Sequence, residues 1–140
     1  MLGWLSRFFR RPLLISPTGH GVRGYDAWGG GEYGARRTHG YHKGVDFICI
    51  PGQKIIAPIS GEVVRVAKPY VDWELSGIVL RSPEMEIKLF YFRPHDGLIG
   101  AYVEQGDEIG IAQDIRLKYD NRMTPHLHLQ INTFDPALLL

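Results

Sequence analysis

From residue 45 onward, apolar and polar positions alternate in short runs closed by turn residues. "VDFICI" ends at Pro51-Gly52, "KIIAPI" at Ser60-Gly61, and "EVVRVA" just before Pro69. There follow "GIVLRS", "EIKLFYF" before Pro94, "YVEQGDEIGIA" and, near the C-terminus, "HLHLQI". Runs rich in β-branched and aromatic residues between Gly, Pro and Ser punctuation read as strands. Their close succession predicts a mainly β fold: a compact antiparallel β-sandwich or half-open barrel. Helix is expected only at the N-terminus and over residues 113–121.

Two stretches fall outside this pattern. In the first, Leu2, Leu5, Phe8 and Phe9 share one side of a short predicted helix, with Arg7, Arg10 and Arg11 toward the other, until Pro12 ends it. Residues 1–16 therefore read as an amphipathic N-terminal segment ahead of a β domain at 17–140. That segment either covers the domain or docks to a partner or a membrane surface. The second stretch, residues 17–44, is too rich in glycine for a helix and predicts a long structured loop lying over a sheet, the kind of segment that carries function.

Composition narrows the function classes. A chain of 140 residues with 44% hydrophobic content suits one core and one domain. Sixteen basic and 15 acidic residues leave a formal charge of +1, so no long-range field for nucleic acid is implied. Cys49 is the single cysteine, which excludes an intrachain disulfide and a cysteine-rich zinc knuckle and fits synthesis in a reducing compartment. No apolar run approaches the roughly 20 residues that span a bilayer, and arginines interrupt the N-terminal one; neither a signal peptide nor a membrane anchor is read.

The candidate chemistry lies in two motifs. In "TPHLHLQI" strand alternation puts His126 and His128 on one face and Leu127 and Leu129 on the other. Two imidazoles on one face suit a shared ligand or a wet cleft, with core packing as the alternative. In "HKGVDF" His42 and Asp46 are four apart, roughly 13 Å if extended, so joint ligation of an ion needs a bend that Gly44 can supply. Together, His42, Asp46 and one of the two later histidines give three N/O ligands with a fourth position open, the arrangement of a catalytic rather than a structural zinc.

The HxxxD motif after "YGARR", then "APISGEVV", "VEQGDEIG" and the closing "PHLHLQI" resemble the lysostaphin-type zinc endopeptidases, which cut peptide cross-links of bacterial peptidoglycan. The resemblance runs from about Tyr33 to Pro136. It implies zinc held by His42, Asp46 and His128, with His126 as the histidine that orients or deprotonates the attacking water. Its implied substrate is a peptidoglycan peptide, acted on in the cell wall or periplasm.

One part of the pattern departs. Active members carry a Tyr-x-His histidine facing the metal, whereas this chain reads "FYFRPHD", with Arg93 two residues after Tyr91 and His95 two further on. Arg93 can stabilise an oxyanion but cannot act as a base. His95 is either a displaced catalytic histidine or a surface loop residue. "AKPY" and "FYFRP" also resemble the animal leukocyte cell-derived chemotaxins, a branch that keeps the zinc ligands, has a basic residue at this position and acts by binding without known peptidase activity. That branch is secreted and disulfide-bonded, unlike the pattern here, and a small domain of this type without an export signal implies a bacteriophage virion or tail component. Two readings follow: a zinc endopeptidase of peptidoglycan, or a zinc-stabilised binding module. Arg36 or Arg37 either contacts a substrate carboxylate or pins the glycine-rich loop, and His39 is set aside in favour of His42 by the spacing to Asp46.

Overall fold

The computed structural model describes residues 13–38, 40–72, 74–131 and 135–140. The N-terminal helix expected over residues 1–12, and His39, lie outside them. Among the described residues eleven strands follow in chain order: β1 (Arg36–Arg37), β2 (Gly40–Tyr41), β3 (Val45–Ile48), β4 (Lys54–Ile56), β5 (Gly61–Val66), β6 (Gly77–Arg81), β7 (Glu86–Phe90), β8 (Phe92–Pro94), β9 (Tyr102–Val103), β10 (Glu108–Ala112) and β11 (His126–Ile131). All pair antiparallel, in a six-stranded sheet of order β3-β11-β7-β6-β5-β9, a three-stranded sheet β4-β10-β8, and the hairpin β1-β2. The expected mainly β, antiparallel architecture is what the chain adopts, with open sheets and, among the described residues, no closed barrel.

The core is what period-two patterning demands. Phe47, Ile78, Leu80, Ile87, Leu89, Leu127 and Leu129 of the large sheet meet Ile55, Phe92 and Ile109 of the small one in a single apolar cluster, each at most 1% exposed. Fully burying an aliphatic or aromatic side chain of this size contributes about 1.5–3 kcal/mol. The opposite face of β11 then carries His126 and His128 out of the core.

Residues 13–16, the end of the segment expected either to cover the β domain or to dock elsewhere, pack on that domain. Leu14 is fully buried, its N–H bonded to Leu139 O at 3.0 Å, and the N–H of Ile15 bonds Pro58 O at 3.0 Å. The helix expected over 113–121 is only a 3₁₀ turn, Ile115–Leu117, capped by the Asp114 side chain on the Arg116 N–H. Past it the chain turns so that Tyr119 and Met123 pack in a second, smaller cluster with Leu75, Tyr91 and Ile115.

Tyr91 separates β7 from β8 with a φ of 82°, among the described residues the one non-glycine in the left-handed region. For a bulky side chain this conformation costs on the order of 1–2 kcal/mol. It takes the chain from the large sheet into the small one and resets the alternation: Phe90 faces His128, Tyr91 is buried beside it, Phe92 enters the core and Arg93 faces solvent. Pro94 stays in β8, opposite Gly110, and its missing N–H is tolerated because β8 is an edge strand.

Candidate metal centre

Strand register brings the first two groups together. β3 and β11 pair so that Asp46 stands directly opposite His128, and Asp46 Oδ1 lies 2.9 Å from His128 Nδ1. His42 reaches the same point from the β1-β2 hairpin, fixed by its N–H on Ala35 O and its carbonyl on the Gly34 N–H, both at 2.8 Å. His42 Nε2 is 3.1 Å from Asp46 Oδ1 and 3.0 Å from His128 Nδ1. Three donor atoms thus form a triangle with sides of 2.9–3.1 Å. Ligands at zinc bond lengths in a tetrahedron stand about 3.3 Å apart, close to this spacing.

Gly44 allows the approach, though not by an unusual backbone angle. A Cβ there would lie 2.4 Å from Leu129 O and 2.6 Å from His128 Cε1, so the segment runs against the His128 ring only because it carries no side chain.

The surrounding hydrogen bonds settle which nitrogens face inward. His42 Nδ1 donates to Glu32 O at 2.9 Å, leaving the Nε2 lone pair for the centre. His128 Nε2 donates to Gln130 Oε1 at 3.1 Å, leaving the Nδ1 lone pair, and Phe90 stacks on its ring at 5.8 Å and 11°. Two lone pairs and a carboxylate oxygen so arranged repel one another unless a metal ion or, in its absence, protons lie among them. The donor set therefore fits a divalent ion of the zinc class. Burial alone would raise the Asp46 carboxyl; hydrogen bonds from His128 and His42, and the charge of His126, hold it well below the usual carboxylate range. The protons in those bonds are the ones a metal ion displaces.

Sequence reasoning missed Arg23. It is 2% exposed, and its guanidinium holds Asp46 Oδ2 from Nη2 at 3.0 Å and from Nε at 3.4 Å. Its Nη1 binds Asp26 Oδ2 and Gly29 O at 2.8 and 2.9 Å. Asp26 in turn accepts the Thr124 N–H at 2.8 Å, which ties the glycine-rich loop to the start of β11. The loop carries no period that would mark one arginine among several.

His126 is not in the triangle. Its Nδ1 donates to Thr124 O at 2.7 Å, so the free Nε2 lone pair points inward, 3.4 Å from Asp46 Oδ2. Burial lowers its basicity, partly offset by the Asp46 charge, and keeps the imidazole neutral near pH 7 and able to accept a proton. Its ring also meets the edge of Tyr91 at 5.4 Å and 85°.

These groups lie in a cleft of about 820 Å³ walled by Trp28, Arg36, Arg37, Tyr70 and Tyr119. Arg37 pins the loop, donating to Gly30 O at 2.8 Å. Neither Arg93 nor His95 reaches this cleft. Arg93 is exposed on β8, and His95 Nε2 bonds Glu108 Oε2 at 2.6 Å on the surface of the small sheet. The cause is Tyr91: across a left-handed residue two-residue spacing no longer means one face, so neither side chain is placed to do the catalytic work expected of it.

Residues 40–138 match the profile of peptidase family M23. The chain is 30% identical over 133 residues to mouse (Mus musculus) leukocyte cell-derived chemotaxin-2, covering 91% of this chain and 85% of that protein. The catalytic domain of the antimicrobial peptidase lysostaphin from Staphylococcus simulans superposes with a TM-score of 0.52 at 24% identity, over 81% of this chain and 84% of that one. A zinc containing peptidase from Vibrio cholerae superposes with a TM-score of 0.55 at 20% identity, over 85% of this chain and 38% of that one. At these identities the two structures share the fold.

Proposed function

This chain belongs to peptidase family M23, and from that premise we propose that it is a zinc-dependent endopeptidase hydrolysing peptide bonds of bacterial peptidoglycan. The observation that carries the reading is the division of labour among four buried groups: His42, Asp46 and His128 present three converging donors, and His126 stands beside them with its proton on the far nitrogen.

A divalent ion held by the three donors would supply Lewis acidity, acidifying water and polarising a peptide carbonyl. His126 Nε2 accepts the proton released on attack and returns it to the departing amine, as a neutral imidazole can and a protonated one cannot. The Thr124 carbonyl keeps that proton-accepting nitrogen turned inward throughout. Arg23 fixes Asp46 by its outer oxygen, so the inner one stays on the ligand triangle. The cleft extends well beyond the triangle, as a peptide substrate needs.

The test is release of new amino groups from purified cell walls by zinc-loaded protein. Amine release that stops on chelation and returns with zinc supports the reading; no release under any metal loading rejects it.

A second reading is favoured by the match to the mouse chemotaxin and by the placement of Arg93 and His95 away from the cleft. It is a zinc-stabilised module that binds a wall or protein partner without turnover. It expects wall binding and a stability loss on chelation, with no amine release. As the setting for the peptidase we propose a bacteriophage virion or tail, with residues 1–16 as the attachment to other particle proteins; mass spectrometry of purified particles lacking this polypeptide would overturn that placement.

A further inference from the structure

The cleft wall beside His126 is made of phenols whose hydrogen bonds do not close on themselves. The Tyr70 hydroxyl lies 3.2 Å from that of Tyr91 and 2.7 Å from that of Tyr119, and all three residues line the cleft. Each phenol brings one O–H. Two hydroxyl–hydroxyl bonds use two of the three protons, so one O–H is directed out of the trio. The Lys118 ammonium, 4.2 Å from the Tyr70 ring centre and 5.3 Å from that of Tyr119, can only donate and does not accept it.

Tyr91 is the phenol in contact with His126, and the fold holds it there on strained backbone. Burial pushes its phenol well above the usual range and that of Tyr119 up to about 12, so both are donors near neutral pH.

We propose that the Tyr91 hydroxyl donates a hydrogen bond to the carbonyl oxygen of the peptide lying in the cleft, and to the negative charge that develops on that oxygen during attack. Tyr70 and Tyr119 are positioning residues that orient and polarise it. The inference rests on the peptidase reading for its substrate, while the donor itself can be tested apart from turnover.

Tyr91→Phe, Tyr70→Phe and Tyr119→Phe keep the rings and their packing. Each is compared with zinc-loaded wild type in two measurements: amine release from cell walls, and calorimetric affinity for a phosphinate analogue of triglycine, whose tetrahedral anionic centre stands in for the reacting carbonyl. Loss of one such donor lowers kcat by about 100-fold or more. Tyr91→Phe is expected to show that loss with KM and zinc content unchanged, and to bind the analogue at least about tenfold more weakly. Tyr70→Phe and Tyr119→Phe are expected to show the same pattern to a smaller degree. Wild type that binds the analogue in a Tyr91-dependent way without amine release upholds the donor and rejects the peptidase. Amine release and analogue affinity untouched by Tyr91→Phe reject the donor and leave the peptidase standing. Neither binding nor release overturns both.

Discussion

Arg23 holds Asp46 by the carboxylate oxygen that faces away from His42 and His128: Nη2 lies 3.0 Å from Oδ2, while Oδ1 lies 2.9 Å from His128 and 3.1 Å from His42. One carboxylate thus holds a guanidinium by one oxygen and offers the other to the ligand triangle. Groups that orient a ligand in this way typically govern metal affinity by about 10–100-fold. Removing one partner of a buried ion pair costs about 3–5 kcal/mol.

Arg23→Met is therefore expected to weaken zinc binding within that range and to lower stability by several kcal/mol even without metal. Competition with a chromophoric chelator and urea unfolding of the metal-free protein read the two effects separately. Unchanged zinc affinity would remove Arg23 from the centre and leave it a loop anchor.

Gly44→Ala tests the close approach. The added methyl would meet Leu129 O at 2.4 Å, a backbone atom that cannot turn aside, and the His128 ring at 2.6 Å. Crowding of this kind costs about 1–3 kcal/mol and here moves a ligand as well. The expected outcome is a lower Tm together with weakened zinc binding, read by thermal melts with and without zinc; a variant that matches wild type in both contradicts the packing described.

Gln130→Leu removes the acceptor that turns His128 Nδ1 inward. Zinc affinity should fall by about 10-fold or more while the metal-free Tm moves little, because Gln130 is half-buried and its loss opens no core. Calorimetric zinc titration checks this directly.

Stability in acid should follow Asp26. Burial opposes ionisation of its carboxyl, but the N–H groups of Thr124 and Trp28 and the Arg23 charge lower it below the ordinary aspartate value of 3.8. A depressed folded-state value means its contribution is complete above pH 3.8 and is lost as pH falls through the lower folded value. Thermal melts of metal-free protein should therefore lose Tm more steeply below pH 3.8 in wild type than in Asp26→Asn. Parallel curves would contradict the role given to Asp26.

Arg93→Ala and His95→Ala, made in zinc-loaded protein, should leave zinc content and amine release unchanged, since both side chains lie on the outer surface of the small sheet. Loss of turnover in either would return that residue to the mechanism.

The two motifs were legible because each obeys a rule that needs no tertiary knowledge. His126 and His128 share a face by strand alternation, and the four-residue reach from His42 to Asp46 requires a bend beside a glycine. Antiparallel pairing of β3 with β11 then makes Asp46 and His128 cross-strand neighbours. The strands before residue 90 and the choice of mainly β architecture followed from the same alternation. Arg23 and the Glu32 carbonyl were illegible, because they act from a glycine-rich loop without periodicity, the one through its guanidinium and the other through its backbone. Gln130 carried an unread signal, two residues beyond His128 on the same face. The placement of Arg93 and His95 away from the cleft has one source: a tyrosine in a left-handed conformation is what local preference argues against, and it inverts the face assignments that follow it in β8. Tertiary packing around His126 and the second apolar cluster overrides that preference.

The most direct test of the central claim compares His126→Ala with Asp46→Asn, measuring zinc per chain and amine release from cell walls on the same preparations. Wild type should carry one zinc per chain and release amines, His126→Ala should carry one zinc and release none, and Asp46→Asn should do neither. Release by His126→Ala at the wild-type rate, or full zinc loading in Asp46→Asn, would contradict the claim.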